Sequence, residues 1–337
     1  MRRLVSRLGV PAALLAVACV WGAAFVVVDQ AIAIYPMYAF LGWRFLVASA
    51  AFLALFPKVL KRLDRANLTK GIVAGVFLTL GYILQTAGMD GANATTPARA
   101  AFITGLYVVI TPVIQAIGLK RMPHISTILG AALSLAGLYV MSGAGTAGAW
   151  MQGDTLVVAC ALAYSIHIIV LGTTDERHDT AALTFIQLSV MAIACLTISA
   201  FHERVGAPTD GRVWLAVVLT GVLASAVAFY VQTWAQRIMA PSRVALILVT
   251  ETAFGGIFGW TAAGLWPLRE VIGAAVMLGG MVTSEAVAAF APAEGHVEFE
   301  AVVEGVPAPV LEDDREPSRP WAPIESEPRV DESGDET

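Results

Sequence analysis

Three charged or titratable side chains stand deep inside long apolar runs: Arg44, His167 and Glu251. A charge near a bilayer centre costs about 2.5–3.5 kcal/mol on insertion scales, so each calls for a reason. At 1.5 Å per helical residue, Arg44 lies roughly 10 Å below the outer surface, Glu251 about 15 Å deep and His167 about 20 Å from the outer face. Arg44 could bind an anion in a central cavity, or serve as a structural cation paired with a helix end or with Glu251. Glu251 could hold an amine or carry a coupling proton, or simply fix helix packing. His167 could relay protons, although a lone helical His commonly bonds a neighbour. Polar residues in the same runs, Thr104, Tyr107, Gln115, Gln187 and Gln232, could select a substrate by hydrogen bonds or bond between helices. Trp21 could gate or line a path, and Pro112 frees a backbone carbonyl and allows a kink.

Two further cations come as a matched pair. Thr96-Pro97-Ala98-Arg99-Ala100-Ala101-Phe102-Ile103 is echoed by Ala240-Pro241-Ser242-Arg243-Val244-Ala245-Leu246-Ile247, an offset of 144 residues. Each sets Pro and Arg at the mouth of an apolar segment. Near an interface such side chains snorkel to headgroups at little cost. Their matched placement makes Arg99 and Arg243 candidates for lining the two ends of one pathway.

The elements that must position these residues follow from hydropathy. Of 337 residues, 57% are hydrophobic and 14% charged, with a mean hydropathy of +0.72. Soluble chains carry about 25% charged residues, so lipid is the expected solvent. A spanning helix needs roughly 20 mostly apolar residues. Runs of that size predict ten helices, at about 10–28, 37–56, 69–88, 97–119, 124–142, 154–172, 180–200, 212–236, 241–265 and 269–289. Arg2, Arg3 and Arg7 followed by an apolar run to Cys19 resemble a signal peptide. The run continues through Trp21, Gly22 and Phe25 to Val28, so an uncleaved first helix is expected.

Lys and Arg placement sets the orientation. With a cytoplasmic N-terminus the inside set is Arg2, Arg3, Arg7, Lys58, Lys61, Arg62, Arg65, Lys70, Lys120, Arg121, Arg177, Arg237 and Arg243. The outside set is Arg99, Arg204, Arg212 and Arg269. Both termini are then cytoplasmic in a multi-pass protein of the inner or plasma membrane. Residues 291–337 carry 14 Asp/Glu against 3 Arg and seven prolines, a composition expected to stay disordered.

The echo extends along the chain. Val17-Ala18-Cys19 matches Val158-Ala159-Cys160, Leu84-Gln85-Thr86 resembles Val231-Gln232-Thr233, and Gly130-Ala131-Ala132 matches Gly273-Ala274-Ala275, with offsets of 141, 147 and 143. Five helices per copy is an odd number, so the second copy enters the membrane from the opposite side, as in inverted-repeat transporters. The expected domains are a first repeat (1–143), an inverted second repeat (150–290) and an acidic tail (291–337). Gly71-xxx-Gly75 and Gly255-xxx-Gly259 predict close helix contacts. Cys19, Cys160 and Cys195 sit in apolar runs without paired spacing, as small packing residues.

Several of these stretches resemble the drug/metabolite transporter superfamily, specifically the EamA-type permeases. Val20-Trp21-Gly22-Ala23-Ala24-Phe25, with Pro36 and Arg44, resembles the family's opening. The run from Phe102 to Pro112 is similar to its fourth helix, and Thr250-Glu251-Thr252-Ala253-Phe254 with Gly259-Trp260 looks like its ninth. The second copy has Leu162-Ala163 in place of Trp-Gly, Gln187 at the place of Arg44, and Glu251-Thr252 where many members carry Glu-Pro. Helix four is followed by Leu119-Lys120-Arg121-Met122-Pro123, without the frequent acidic residue. The resemblance, covering roughly residues 10–290, implies an all-helical, ten-helix inverted-repeat transporter, often an exporter of amino acids, other metabolites or toxic compounds.

No enzyme signature is present: there is no Gly-rich phosphate loop, His-Glu-x-x-His or Gly-x-Ser-x-Gly. Ser225 in Ala224-Ser225-Ala226 could mimic an intramembrane protease serine but has no evident partner. The expected activity is secondary transport, by alternating access, of a small metabolite or drug-like molecule out of the cell. Nutrient uptake and a non-transporting scaffold acting through the acidic tail are the alternatives. No cofactor, metal or nucleic acid is expected. The partners are a small-molecule substrate and the bilayer, with a homodimer left open.

Overall fold

Proline and aspartate punctuate the helices of this chain. The computed structural model describes residues 2–89, 100, 103–120, 122–142, 151–203, 206–264 and 266–290. The acidic segment and Arg99 lie outside the described residues. Helix α1 (Arg2–Ile32) runs on to a turn closed by Pro36, after which α2 (Met37–Leu55) begins. Phe56, which precedes Pro57, leaves the helical region at φ −124°, ψ 61° and ends α2, because proline disfavours the α conformation in the residue before it. A short 3-10 turn (Pro57–Arg62) leads to α3 (Arg65–Gly88), whose N-cap Asp64 accepts from Asn67 N. Helices α4 (Tyr107–Gly118), α5 (Ile125–Ser142), α6 (Gln152–Gly172) and α7 (Thr180–His202) follow. Asp179 caps α7 through Ala182 N, and Asp210 caps α8 (Gly211–Ala235) through Arg212 N. The last elements are α9 (Pro241–Leu248), α10 (Glu251–Ala263) and α11 (Leu268–Phe290).

Among the described residues there is no strand. Among the described residues seven spans are long and apolar enough to cross a bilayer, one of them formed by α9 with α10, and three shorter apolar helices lie in α4, α5 and α11. Large apolar side chains are widely exposed, such as Phe201, Ile117 and Leu268 at 74–75%. In a lipid solvent that exposure carries no penalty.

Three helices depart from the straight spans expected. The fourth predicted span is interrupted by a turn at Gly105–Leu106, and the ninth by a turn at Val249–Thr250. The first break lies upstream of Pro112, which sits within continuous α4, so the proline does not mark it. Helix α8 widens to a π-helical turn over Val222–Val227. Close helix contacts form at three of the four glycines expected to make them. Gly71 and Gly75 lie against Ile186 and Val190 of α7 and Gly255 lies against Gly22 of α1, whereas a Cβ added at Gly259 would meet nothing within 4 Å.

Two large apolar clusters form most of the interior, with a small third one at Ala100, Ile103 and Val157. One joins α1 with α4, α5, α6, α8, α9, α10 and α11; the other joins α1, α2, α3, α7 and α8. Trp21 and Tyr164 pack against both. Polar links tie early helices to late ones at both ends of the bundle. Glu203 accepts from Tyr38 N at 2.9 Å and Ala39 N at 2.7 Å, capping α2 across the fold. Nearby, the Tyr35 hydroxyl donates to Gly206 O, and partial burial raises the Tyr35 pKa. At the opposite end Arg62 pairs with Asp179 at 2.5 Å, Asp179 N donates to Asn67 Oδ1, and Lys70 donates to Thr173 Oγ1. Beside this link, the hydrogen bond from Arg177 holds the Asp175 carboxyl well below the usual carboxylate range. Removing the cap and the ion pair together in Asp179→Ala is expected to destabilise the protein by about 1–2 kcal/mol. A lowered melting temperature in detergent micelles would record the loss, and Asp179→Asn should recover part of it.

Candidate functional site

The two clusters leave a cavity of about 100 Å³ between them. A water needs about 10–15 Å³ of such space, so there is room for several waters or a small polar group. Its wall comes from α1 (Trp21, Ala24, Phe25, Val28), α2 (Leu41, Arg44) and one face of α3 (Leu78, Tyr82, Gln85, Thr86, Met89). Tyr107 comes from α4, while Tyr164, His167 and Ile168 come from α6. Phe229 and Gln232 of α8, with Leu248 and Glu251 at the second helix break, complete it.

Arg44 is 3% exposed, and its Nε donates to Ser225 Oγ at 2.9 Å. Its guanidinium carbon stands 5.2 Å from the Phe45 ring centroid and 5.4 Å from that of Tyr82. Its charge is therefore met by a hydroxyl and two π faces. Among the described residues no ion pair joins it to Glu251, so the pairing with Glu251, one of the readings open for Arg44, is not formed. Ser225 lies in the π-turn and donates in turn to Thr220 O at 3.0 Å. The same turn presents Ala224 O to Trp21 Nε1 at 2.7 Å. π-turns accumulate at functional sites because the extra residue redirects side chains and carbonyls. Here one turn anchors two cavity residues. Gly221, just before it, is held close to α2: a Cβ there would stand 2.7 Å from Arg44 O.

Glu251 opens α10 immediately after the second break. Thr250 and Thr252 hydroxyls donate to Ile247 O and Val249 O at 2.6 and 2.8 Å, satisfying carbonyls where the helix is interrupted. Glu251 is 9% exposed, and its carboxylate has no hydrogen-bond or ion-pair partner among the described residues. As the first residue of a helix it stands at the positive end of the helix dipole. Tyr107 opens α4 after the first break, 144 residues earlier in the chain, and its buried hydroxyl has no partner.

The remaining expected residues divide. Gln232 lines the cavity with its Oε1 buried and unpartnered. His167 lines it as well, with Nε2 joined to Gln187 Oε1 at 2.8 Å. Thr104 and Gln187 lie behind the wall: Thr104 Oγ1 accepts from Gln85 Nε2 at 3.1 Å, and Gln187 also donates to Leu183 O. Both were expected on the pathway, and each is turned to support a neighbour that lines it. Gln115 Oε1 accepts from Ser242 N at the start of α9. Arg243 is half-buried on α9 and outside the cavity wall. Among the described residues no cluster of His, Cys, Asp or Glu could hold a metal.

Several wall residues were not singled out from the sequence. Tyr82, Gln85, Thr86 and Met89 recur at helical spacing with Leu78, a stripe that is visible along the chain. Gln85 is the repeat counterpart of Gln232 at offset 147. Ser225 gave no signal for its role, because its partner is 181 residues away.

The model of the EamA-like transporter family matches residues 7–143 and again 151–284. The chain belongs to the EamA-like transporter family. It is 30% identical over 254 residues to a relative from Archaeoglobus fulgidus described as an uncharacterized transporter, covering 75% of this chain and 78% of the relative. A second uncharacterized transporter of that organism is 25% identical over 234 residues, covering 68% and 81%. A solved crystal structure at 16% identity superposes with a TM-score of 0.68 over 83% of this chain and 98% of its own, a likeness of fold. This EamA-like chain is therefore a multi-pass membrane protein of a transporter family.

The Trp21-Gly22 pair generates a test of the site. A Cβ on Gly22 would stand 2.6 Å from Gly255 N and from Phe254 Cβ, and 2.9 Å from Glu251 O. Gly22→Ala is expected to cost about 1–3 kcal/mol through overpacking and to displace the start of α10. A thermal melt together with cysteine accessibility at a Glu251→Cys reporter would read both effects.

Proposed function

We propose that this protein is a secondary transporter of the inner or plasma membrane that exports a small metabolite or drug-like molecule by alternating access. The reading takes ten spanning helices as two inverted five-helix repeats, 1–143 and 150–290, with both termini cytoplasmic. One observation carries it: residues at equivalent places in the two halves meet around one cavity. Tyr107 and Glu251 open the helices after the two breaks, and Tyr82 with Phe229 and Gln85 with Gln232 are related by the repeat offset of 147. Discontinuous helices meeting at a central site are the design by which inverted repeats expose one site to either side in turn. The double family match supports two copies. Arg44 and Glu251 bind the substrate, Trp21 and Tyr107 wall it, and Glu251 with His167 carries any coupled proton. Arg243 and Arg99 flank the two ends of the path.

Reconstitution in proteoliposomes with a solute panel under an imposed proton gradient tests this. Glu251→Gln and Arg44→Ala are each expected to lower flux at least about tenfold, the worth of one charged hydrogen bond, while eluting as folded protein. Normal rates in both would remove the site assignment, and net accumulation inside right-side-out vesicles would reverse the direction. Deleting residues 291–337 is expected to leave flux near normal. A loss confined to partner recruitment would instead favour the scaffold.

A further inference from the structure

Donors and acceptors around the cavity do not balance. Four nitrogens on its wall are already engaged: Trp21 Nε1 with Ala224 O, Arg44 Nε with Ser225 Oγ, Gln85 Nε2 with Thr104 Oγ1, and His167 Nε2 with Gln187 Oε1. Two acceptors and the Tyr107 hydroxyl are not. Glu251 is nine-tenths buried as a residue and its carboxylate has no partner among the described residues, and Gln232 Oε1 is buried and bare. A buried acceptor without a donor costs about 1–3 kcal/mol, and more when it is charged. Gln232 Oε1 is such an atom, and the Glu251 side chain lines the same cavity.

What would satisfy them is narrow. A ligand that brings N–H groups would satisfy both acceptors, and one that also brings positive charge would meet a carboxylate that has no ion-pair partner among the described residues. Arg44 meets the Phe45 and Tyr82 faces and Ser225 instead. Six aromatic residues share the wall with aliphatic ones: Trp21, Phe25, Tyr82, Tyr107, Tyr164 and Phe229. Ring faces attract a desolvated cation and also cover an apolar body.

We infer that this site takes an organic cation bearing N–H donors, a primary ammonium on an aryl or alkyl body, bound through Glu251 and Gln232. The inference rests on the transporter reading of the same cavity and names its substrate class. A quaternary ammonium brings charge without donors and leaves Gln232 Oε1 bare. A carboxylate anion places like charge beside Glu251. An amino acid would add a carboxylate for the Arg44 guanidinium, of which Ser225 engages only Nε, and the phenylalanine probe separates that class.

Calorimetric titration of the full chain in nanodiscs separates these classes. The probes are phenethylammonium, its N,N,N-trimethyl analogue, phenylalanine and 3-phenylpropanoate. Phenethylammonium is expected to bind best, with the trimethyl analogue weaker by about tenfold and 3-phenylpropanoate undetectable, as expected where one hydrogen bond to a charged group decides. Glu251→Gln should weaken phenethylammonium by about tenfold or more. Gln232→Leu, the second variant should the first fail to fold, should erase the preference over the trimethyl analogue. Equal binding of the two amines, tighter binding of phenylalanine or 3-phenylpropanoate, or an unchanged Glu251→Gln titration overturns the inference. If no amine binds while another solute of the panel is transported, the substrate class falls and the transporter stands. If amines bind as expected and nothing is transported, the site stands and the transporter reading falls.

Discussion

In hydrocarbon, a backbone N–H or C=O without a partner costs several kcal/mol, so a chain that spans a bilayer has little freedom to be anything but helix. Irregular backbone survives there only when buried in protein or facing a cavity. This constraint organises the structure. The two helix breaks, at Gly105–Leu106 and Val249–Thr250, are placed beside one internal space, and the residues that follow them, Tyr107 and Glu251, line it. Threonine hydroxyls at the second break take up carbonyls that an unbroken helix would have used. Where lipid is the neighbour, the helices are regular and their large apolar side chains stand exposed.

A second consequence concerns charge. Arg44 is tolerated because the fold surrounds it with weak but preorganised partners, a serine hydroxyl and two ring faces. Supplying that hydroxyl takes a π-turn in α8 and a glycine close enough to touch the backbone of α2. Glu251 is treated in the opposite way. It stands at a helix start, which favours negative charge, and is left without a direct partner. One buried charge is held by neighbours and the other has no direct partner, and the binding role proposed for the cavity rests on this difference.

Much of the architecture was legible along the chain. Hydropathy marked the spans, and the resemblance of Trp21-Gly22 and the Glu251 segment pointed to the family that the double match shows. The depth of Arg44, His167 and Glu251 could be counted from helical rise, and all three reach the cavity. Thr104 and Gln187 were read as wall residues and stand one layer behind it. Depth along a helix is counted from the chain, whereas azimuth depends on what the other helices present. Even the α3 stripe of Tyr82, Gln85 and Met89 shows a face without saying which neighbour it meets.

The sequence by itself determined the solvent, the all-helical class, the repetition and the positions of buried charge, because these depend on composition and on spacing within single segments. The tertiary structure alone decided that Arg44 rests on Ser225 rather than Glu251, that Trp21 is tied to Ala224, and that Gln85 and Tyr82 face the same space as their repeat counterparts. The reason is distance along the chain. Arg44 and Ser225 are separated by 181 residues and Trp21 and Ala224 by 203, and only the packing of whole helices brings such partners within hydrogen-bond reach.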